Sequence, residues 1–154
     1  MAVEQFLDFG GVPGESTLPA ARDHIPVLGW NLGVNRPLEP AGASPTFSDL
    51  TVRKTIDSSS PLLLLLCSRG TLTPQVVLTV RQAGHFRPRL LLDMRDVVVT
   101  SVNMDIEAPT QPLGEVVHLS FARMWLGAAR VDRDGTSEDL TWFSWDLSAG
   151  EPAS

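Results

Sequence analysis

The 154-residue chain contains one cysteine, Cys67, and one lysine, Lys54. A single thiol excludes an intrachain disulfide, and its place inside an apolar stretch makes Cys67 a buried thiol rather than a reactive nucleophile. The remaining positive residues are arginines scattered along the chain, and the formal net charge is −6. Nucleic acid is therefore not expected as a partner, because affinity there rests on clustered cations that neutralise phosphates. Long apolar runs are lacking: Leu62–Leu66 falls far short of the roughly 20 residues that span a bilayer, so no membrane insertion is expected. The N-terminus, Met-Ala-Val-Glu-Gln-Phe-Leu, has no basic region followed by an apolar one. The protein is expected in the cytoplasm, with any export proceeding without a signal peptide. Hydrophobic residues at 43% against charged residues at 19% describe a folded chain, and the length suits one domain over residues 1–154. No internal repeat is visible.

Motifs for chemistry are also sparse. Ser16, Asp23 and His24 are the right types for a hydrolase, but no Gly-x-Ser-x-Gly elbow accompanies them, and Asp23 and His24 fall at a strand entrance as solvated residues would. His24, His85 and His118 are too far apart for a zinc spacing. Asp132-Arg133-Asp134-Gly135 begins like a calcium loop, yet its glycine comes too early and no bidentate Glu follows, so an Asp-Gly hairpin is the better reading. No glycine-rich phosphate loop precedes a helix. The expectation is no catalytic residue, no metal and no cofactor.

What the chain does contain is one helix among strands. Ser60 to Gly70 reads Ser-Pro-Leu-Leu-Leu-Leu-Leu-Cys-Ser-Arg-Gly, with Ser60 as N-cap, Pro61 at the first helical position and Gly70 as the left-handed exit. At 100° per residue Leu62, Leu63, Leu64, Leu65 and Leu66 cover every face, so this helix must be covered from several sides. Strands are expected over Ala2–Phe9, His24–Val34 (Leu28, Trp30, Leu32 and Val34 on one face), Thr46–Ile56 (Leu50, Val52, Lys54 and Ile56 on one side), Gln75–Arg81, Arg89–Val102, Glu115–Trp125 and Leu140–Leu147. Asn35–Pro45 and Asn103–Gly114 read as long loops, and Ala149–Ser154 as a polar tail expected to fray. About seven strands with one helix indicate a mainly β, antiparallel sandwich or barrel.

Several stretches carry a collinear resemblance to one family. They are Phe6-Leu7-Asp8-Phe9 leading into Gly14-Glu15-Ser16; Ile25-Pro26-Val27-Leu28-Gly29-Trp30; Phe47-Ser48-Asp49-Leu50 with Lys54, Asp57, Ser60-Pro61 and Gly70; Val77 to Gly84; Asp96-Val97 with Ser101-Val102; Leu119-Ser120-Phe121-Ala122; and Trp145-Asp146-Leu147. With these the chain resembles the haemolysin-coregulated protein (Hcp) family, the inner-tube subunit of the type VI secretion system. The resemblance implies a small antiparallel β-barrel with one flanking helix, closing as a homohexamer whose rings stack into a hollow tube. It also implies sheath, spike and small effector proteins as partners, with effectors inside the lumen. On this likeness Asn31, beside Gly29 and Gly33, lines the lumen. Pro37, Leu38, Glu39 and Pro40 belong to the ring-stacking loop, which is shorter and richer in proline than the family's. The outward leucines of Leu62–Leu66 then form an assembly surface. The alternative is a stand-alone Hcp-like binding module acting outside a contractile machine.

Overall fold

A computed structural model describes residues 2–105, 114–131 and 137–154. Among these the strands are β1 (Val3–Phe9), β2 (Ile25–Pro26), β3 (Gly29–Asn31), β4 (Val34–Asn35), β5 (Thr46–Phe47), β6 (Leu50–Thr55), β7 (Leu72–Gln82), β8 (Pro88–Asp105), β9 (Gly114–Ser120), β10 (Arg123–Val131) and β11 (Ser137–Asp146), with helix α1 (Ser60–Arg69) between β6 and β7. The mainly β class, with one helix, is as expected.

The 18-residue β8 is the spine. Its Val97-Val98-Val99 run is β-branched and resists helix. β7 lies along one side of its first part, while β10 and then β9 lie along the other, in one register from Leu90↔Ala128 to Val99↔Leu119. At one level all three lines of chain change the face they bury: β7 between Thr73 and Val76, β8 between Met94 and Val97, and the β9–β10 line between Phe121 and Met124. Asp96, at the crease, has φ 55°, a left-handed conformation that Asp tolerates better than most residues. The crease folds the sheet over, and the core sits inside: Leu7, Ile25, Leu50, Val52, Leu78, Leu92, Met94, Val99, Val117, Leu119 and Met124 are buried together. At about 1.5–3 kcal/mol for each large apolar side chain removed from water, this cluster is the main stabilising element.

Pairing runs β2-β1-β7-β8-β9-β6-β3, with β10 attached to β8 and β11 to β10. The end members β2 and β3 belong to one short segment. The Val27 amide donates to Gln5 O at 3.0 Å and the Leu28 amide to Arg53 O at 2.8 Å, so the chain crosses there from the edge of β1 to the edge of β6. Among the described residues no continuous ladder closes the circuit, and "barrel" fits only loosely.

That crossing explains why the expected single strand over 24–34 is instead three short pieces. A segment that changes partner at Val27–Leu28 cannot keep one face inward. Ile25 and Val27 are buried, whereas Leu28 is 66% exposed, Val34 is exposed and Trp30 is half-buried. The expected strand Glu115–Trp125 breaks at the crease for the same reason: Met124 enters the core, and Trp125 is half-buried on the other face with the guanidinium groups of Arg95 and Arg123 near its ring. The loop Asn35–Pro45 is closed at its base by the β4–β5 pair, Val34↔Phe47 and Asn35↔Thr46. The C-terminal tail does not fray but returns along β11, where the Asp146 amide donates to Glu151 O at 2.8 Å and Ser144 Oγ to Ala153 O at 3.2 Å. Asp132–Gly135 and most of the second long loop lie outside the described residues.

Helix α1 ends as expected. Gly70 has φ 64°, its amide meets Cys67 O, and the Thr71 amide reaches Leu66 O. Its start differs: the N-cap is Ser59, whose hydroxyl donates to Asp57 Oδ1 instead of capping the helix, while Ser60 is turned inward to Glu115. Leu63 is buried, Leu66 and Cys67 are partly buried against the core, and Leu62, Leu64 and Leu65 are exposed. The thiol expected to be buried is thus only half-covered.

Candidate functional site

The residue types of a hydrolase meet through main-chain bonds only. The Ser16 amide donates to His24 O at 3.1 Å and the Asp23 amide to Ser16 O at 2.8 Å. Ser16 Oγ accepts from the Leu18 amide at 3.4 Å, while His24 Nε2 faces Asp8 Oδ2 at 3.7 Å. Nucleophile and base therefore point to different neighbours.

The most concentrated polar chemistry lies where α1 meets the sheet. The alternation of β6 places Lys54 in phase with Leu50 and Val52, and all three are buried. Lys54 Nζ donates to Thr55 O at 2.9 Å, Asp57 Oδ1 at 3.0 Å, Ser60 Oγ at 3.3 Å and Glu115 Oε1. Ser60 Oγ also donates to Glu115 Oε1 at 2.7 Å and accepts from the Asp57 amide at 3.0 Å. Burial raises the Asp57 pKa, but hydrogen bonds from Ser59 and Lys54 outweigh it and hold the carboxyl below its ordinary value. Glu15 Oε2 accepts the Ser58 amide at 2.7 Å, and this bond, reinforced by the Ser58 hydroxyl, holds that carboxyl below its ordinary value. Lys54, Asp57, Ser60, Glu115 and Glu15 thereby join β6, the turn into α1, β9 and the loop after β1. A lysine carried inward on an apolar face is tolerable only with such partners. The sequence signal was present, since Lys54 shares the face of Leu50 and Val52, but nothing near it in sequence names Glu115 as its counterion.

The candidate lumen residues lie on the outer face of the β3–β6–β9–β8 sheet. Two cross-strand rows run there, Gly29↔Arg53↔Val116↔Asn103 and Asn31↔Thr51↔His118↔Ser101. Asn31 is exposed, and Thr51 Oγ1 and His118 Nδ1 are 3.4 Å apart. Gly33 stands apart from these rows, just beyond β3, with its amide on Ser48 Oγ at 2.9 Å. Pro37, Leu38, Glu39 and Pro40 are all exposed, Leu38 at 90%.

A third surface is the outer edge of β11. Among the described residues this strand pairs only with β10, and the returning tail meets it at its C-terminal end. Trp142 is 53% and Phe143 44% exposed. A ten-residue edge strand with exposed aromatics is a template for pairing with another chain.

Together these features describe a creased β-domain with an open strand edge, a polar sheet face and an apolar outer helix. A family model described as "Type VI secretion system effector, Hcp" matches residues 6–126. Protein hcp1 of Pseudomonas aeruginosa is 32% identical over 146 residues, covering 90% of each chain. Among solved structures, Hcp1 from Salmonella typhimurium superposes with a TM-score of 0.83 at 24% identity, over 99% of this chain and 100% of that one. A type VI secretion system effector from Yersinia pestis superposes with a TM-score of 0.77 at 27% identity, over 92% and 98% of the two chains. The chain belongs to the Hcp family of the type VI secretion system.

Proposed function

We propose that this protein is a tube subunit of a type VI secretion system, assembling as hexameric rings that stack into a hollow tube and carry effectors in the lumen. The observation that carries the reading is the open edge of β11 with Trp142 and Phe143, which a neighbouring protomer would cover by continuing the sheet. Closed rotational symmetry removes such an edge from every subunit at once. Gly29 and Asn31 then lie on the lumen wall, Pro37–Pro40 contact the next ring, and Leu62, Leu64 and Leu65 meet a neighbour or the sheath. Export follows expulsion of the tube from the cytoplasm.

Light scattering of the purified protein should give about six times the 16.7 kDa protomer mass. Negative-stain electron microscopy should show rings with an open centre. A monomer that persists at high concentration would overturn the ring and favour the stand-alone binding module, for which the short proline-rich loop is the supporting feature. Serine at Leu62, Leu64 and Leu65 together should leave the protomer folded and weaken association; an unfolded protomer would place these leucines in the core instead.

A further inference from the structure

We propose that Arg53 is the group with which the polar sheet face holds a passenger, and that the passenger presents carboxylates. The inference rests on the ring reading for placing this face on the lumen, but the chemistry belongs to the protomer. Arg53 sits at the middle of the row Gly29↔Arg53↔Val116↔Asn103 and is exposed. Its guanidinium lies over Gly29: a Cβ built on that glycine would stand 2.8 Å from Nη2, 3.3 Å from Nε and 3.4 Å from Cζ. The missing side chain at position 29 gives the guanidinium its seat against β3.

Charge supplies the second part. Arg81, Arg95, Arg123 and Lys54 each have a carboxylate partner, Glu4, Asp93, Asp96 and Glu115 respectively. Arg53 has none among the described residues, although acidic residues outnumber Lys and Arg by 18 to 12 in the chain. Neither cross-strand row contains an Asp or Glu. Among the described residues, the acidic ones next along these strands include Asp49, whose Oδ2 accepts from Thr100 Oγ1 at 2.6 Å, and Asp105, two residues past Asn103 on β8. The same two rows carry Asn31, Thr51, Asn103 and His118, polar side chains without a carboxylate. A guanidinium is a planar fork of donors that matches a carboxylate bidentately. One such exposed contact is weak. Repeated around a ring, several such contacts would hold an acidic surface and still release it.

The test uses the full chain with hexaglutamate as probe and hexaglutamine and hexalysine as controls, by isothermal titration calorimetry at low salt. Wild type should bind hexaglutamate about tenfold more tightly than hexaglutamine. Arg53→Gln should abolish the difference. Gly29→Ala, which displaces only the far end of a flexible side chain, should reduce it while leaving the far-ultraviolet circular dichroism spectrum unchanged. Equal binding of hexaglutamate by wild type and both variants, or a preference of wild type for hexalysine, would overturn the inference. Light scattering on the same samples separates the two readings. A ring that ignores hexaglutamate sinks the carboxylate site alone, whereas a monomer with Arg53-dependent binding sinks the ring alone.

Discussion

Replacing Lys54 by methionine would remove the one positive charge at the foot of α1 while nearly conserving side-chain length. Glu115, whose side chain is fully buried, would lose its counterion and keep only the Ser60 hydroxyl. Breaking a buried ion pair from one side costs about 3–5 kcal/mol, because the surviving charge can neither reach water nor find a partner. That is a large share of the roughly 5–15 kcal/mol by which a domain is stable. With a urea slope of about 2 kcal/mol/M, the unfolding midpoint should fall by about 1.5–2.5 M. The assay is urea unfolding followed by tryptophan fluorescence, at one protomer concentration so that association does not enter the comparison. Lys54→Met with Glu115→Gln leaves no charge stranded between the two positions and should recover much of the loss, a coupling of about 1–3 kcal/mol. A midpoint for Lys54→Met within about 0.3 M of wild type, or single losses that simply add in the double variant, would refute the anchor.

Acid should loosen the same region. Because Asp57 is held below its ordinary value of 3.8, its contribution is complete above about pH 4 and is lost as pH falls through the lower folded value. Urea midpoints at pH 7 and pH 3 should therefore differ less in Asp57→Asn than in wild type, and parallel curves would refute this. Gly14→Ala should be severely destabilising, since a Cβ there would lie 2.3 Å from His24 O, part of the rigid backbone; a loss of about 1–3 kcal/mol or more is expected in urea unfolding. Phe143→Lys places a charge on the open edge of β11 and should shift the light-scattering mass toward the protomer without changing the circular dichroism spectrum.

Much of the fold is legible in the chain because its signals are local. The glycine exit of α1, the β-branched run in β8 and the alternation of Leu50, Val52 and Lys54 each depend on neighbours within a few residues. Legibility fails wherever a strand changes partner. The broken segment 24–34 and the crease at Phe121–Ala122 both carry good alternation, but the face that alternation buries depends on sheets formed by distant residues. The family likeness was also visible in sequence, through short motifs spread in order along the chain. The placement of Gly29 and Asn31 on a polar face follows from cross-strand register, which their own spacing does not specify.

By itself the sequence determined a mainly β chain with one leucine-rich helix, lacking disulfides, clustered cations and recognisable catalytic motifs, and resembling the Hcp family. Those properties are fixed by residue type and short-range pattern. Only the tertiary structure decided that Lys54 meets Glu115, 61 residues away, and that Arg53 stands over Gly29 with no carboxylate partner among the described residues. It also decided that Leu63 is core while Leu62, Leu64 and Leu65 face outward. The reason is physical: burial and charge pairing are properties of the space between elements, and that space exists only once the creased sheet has brought distant strands together.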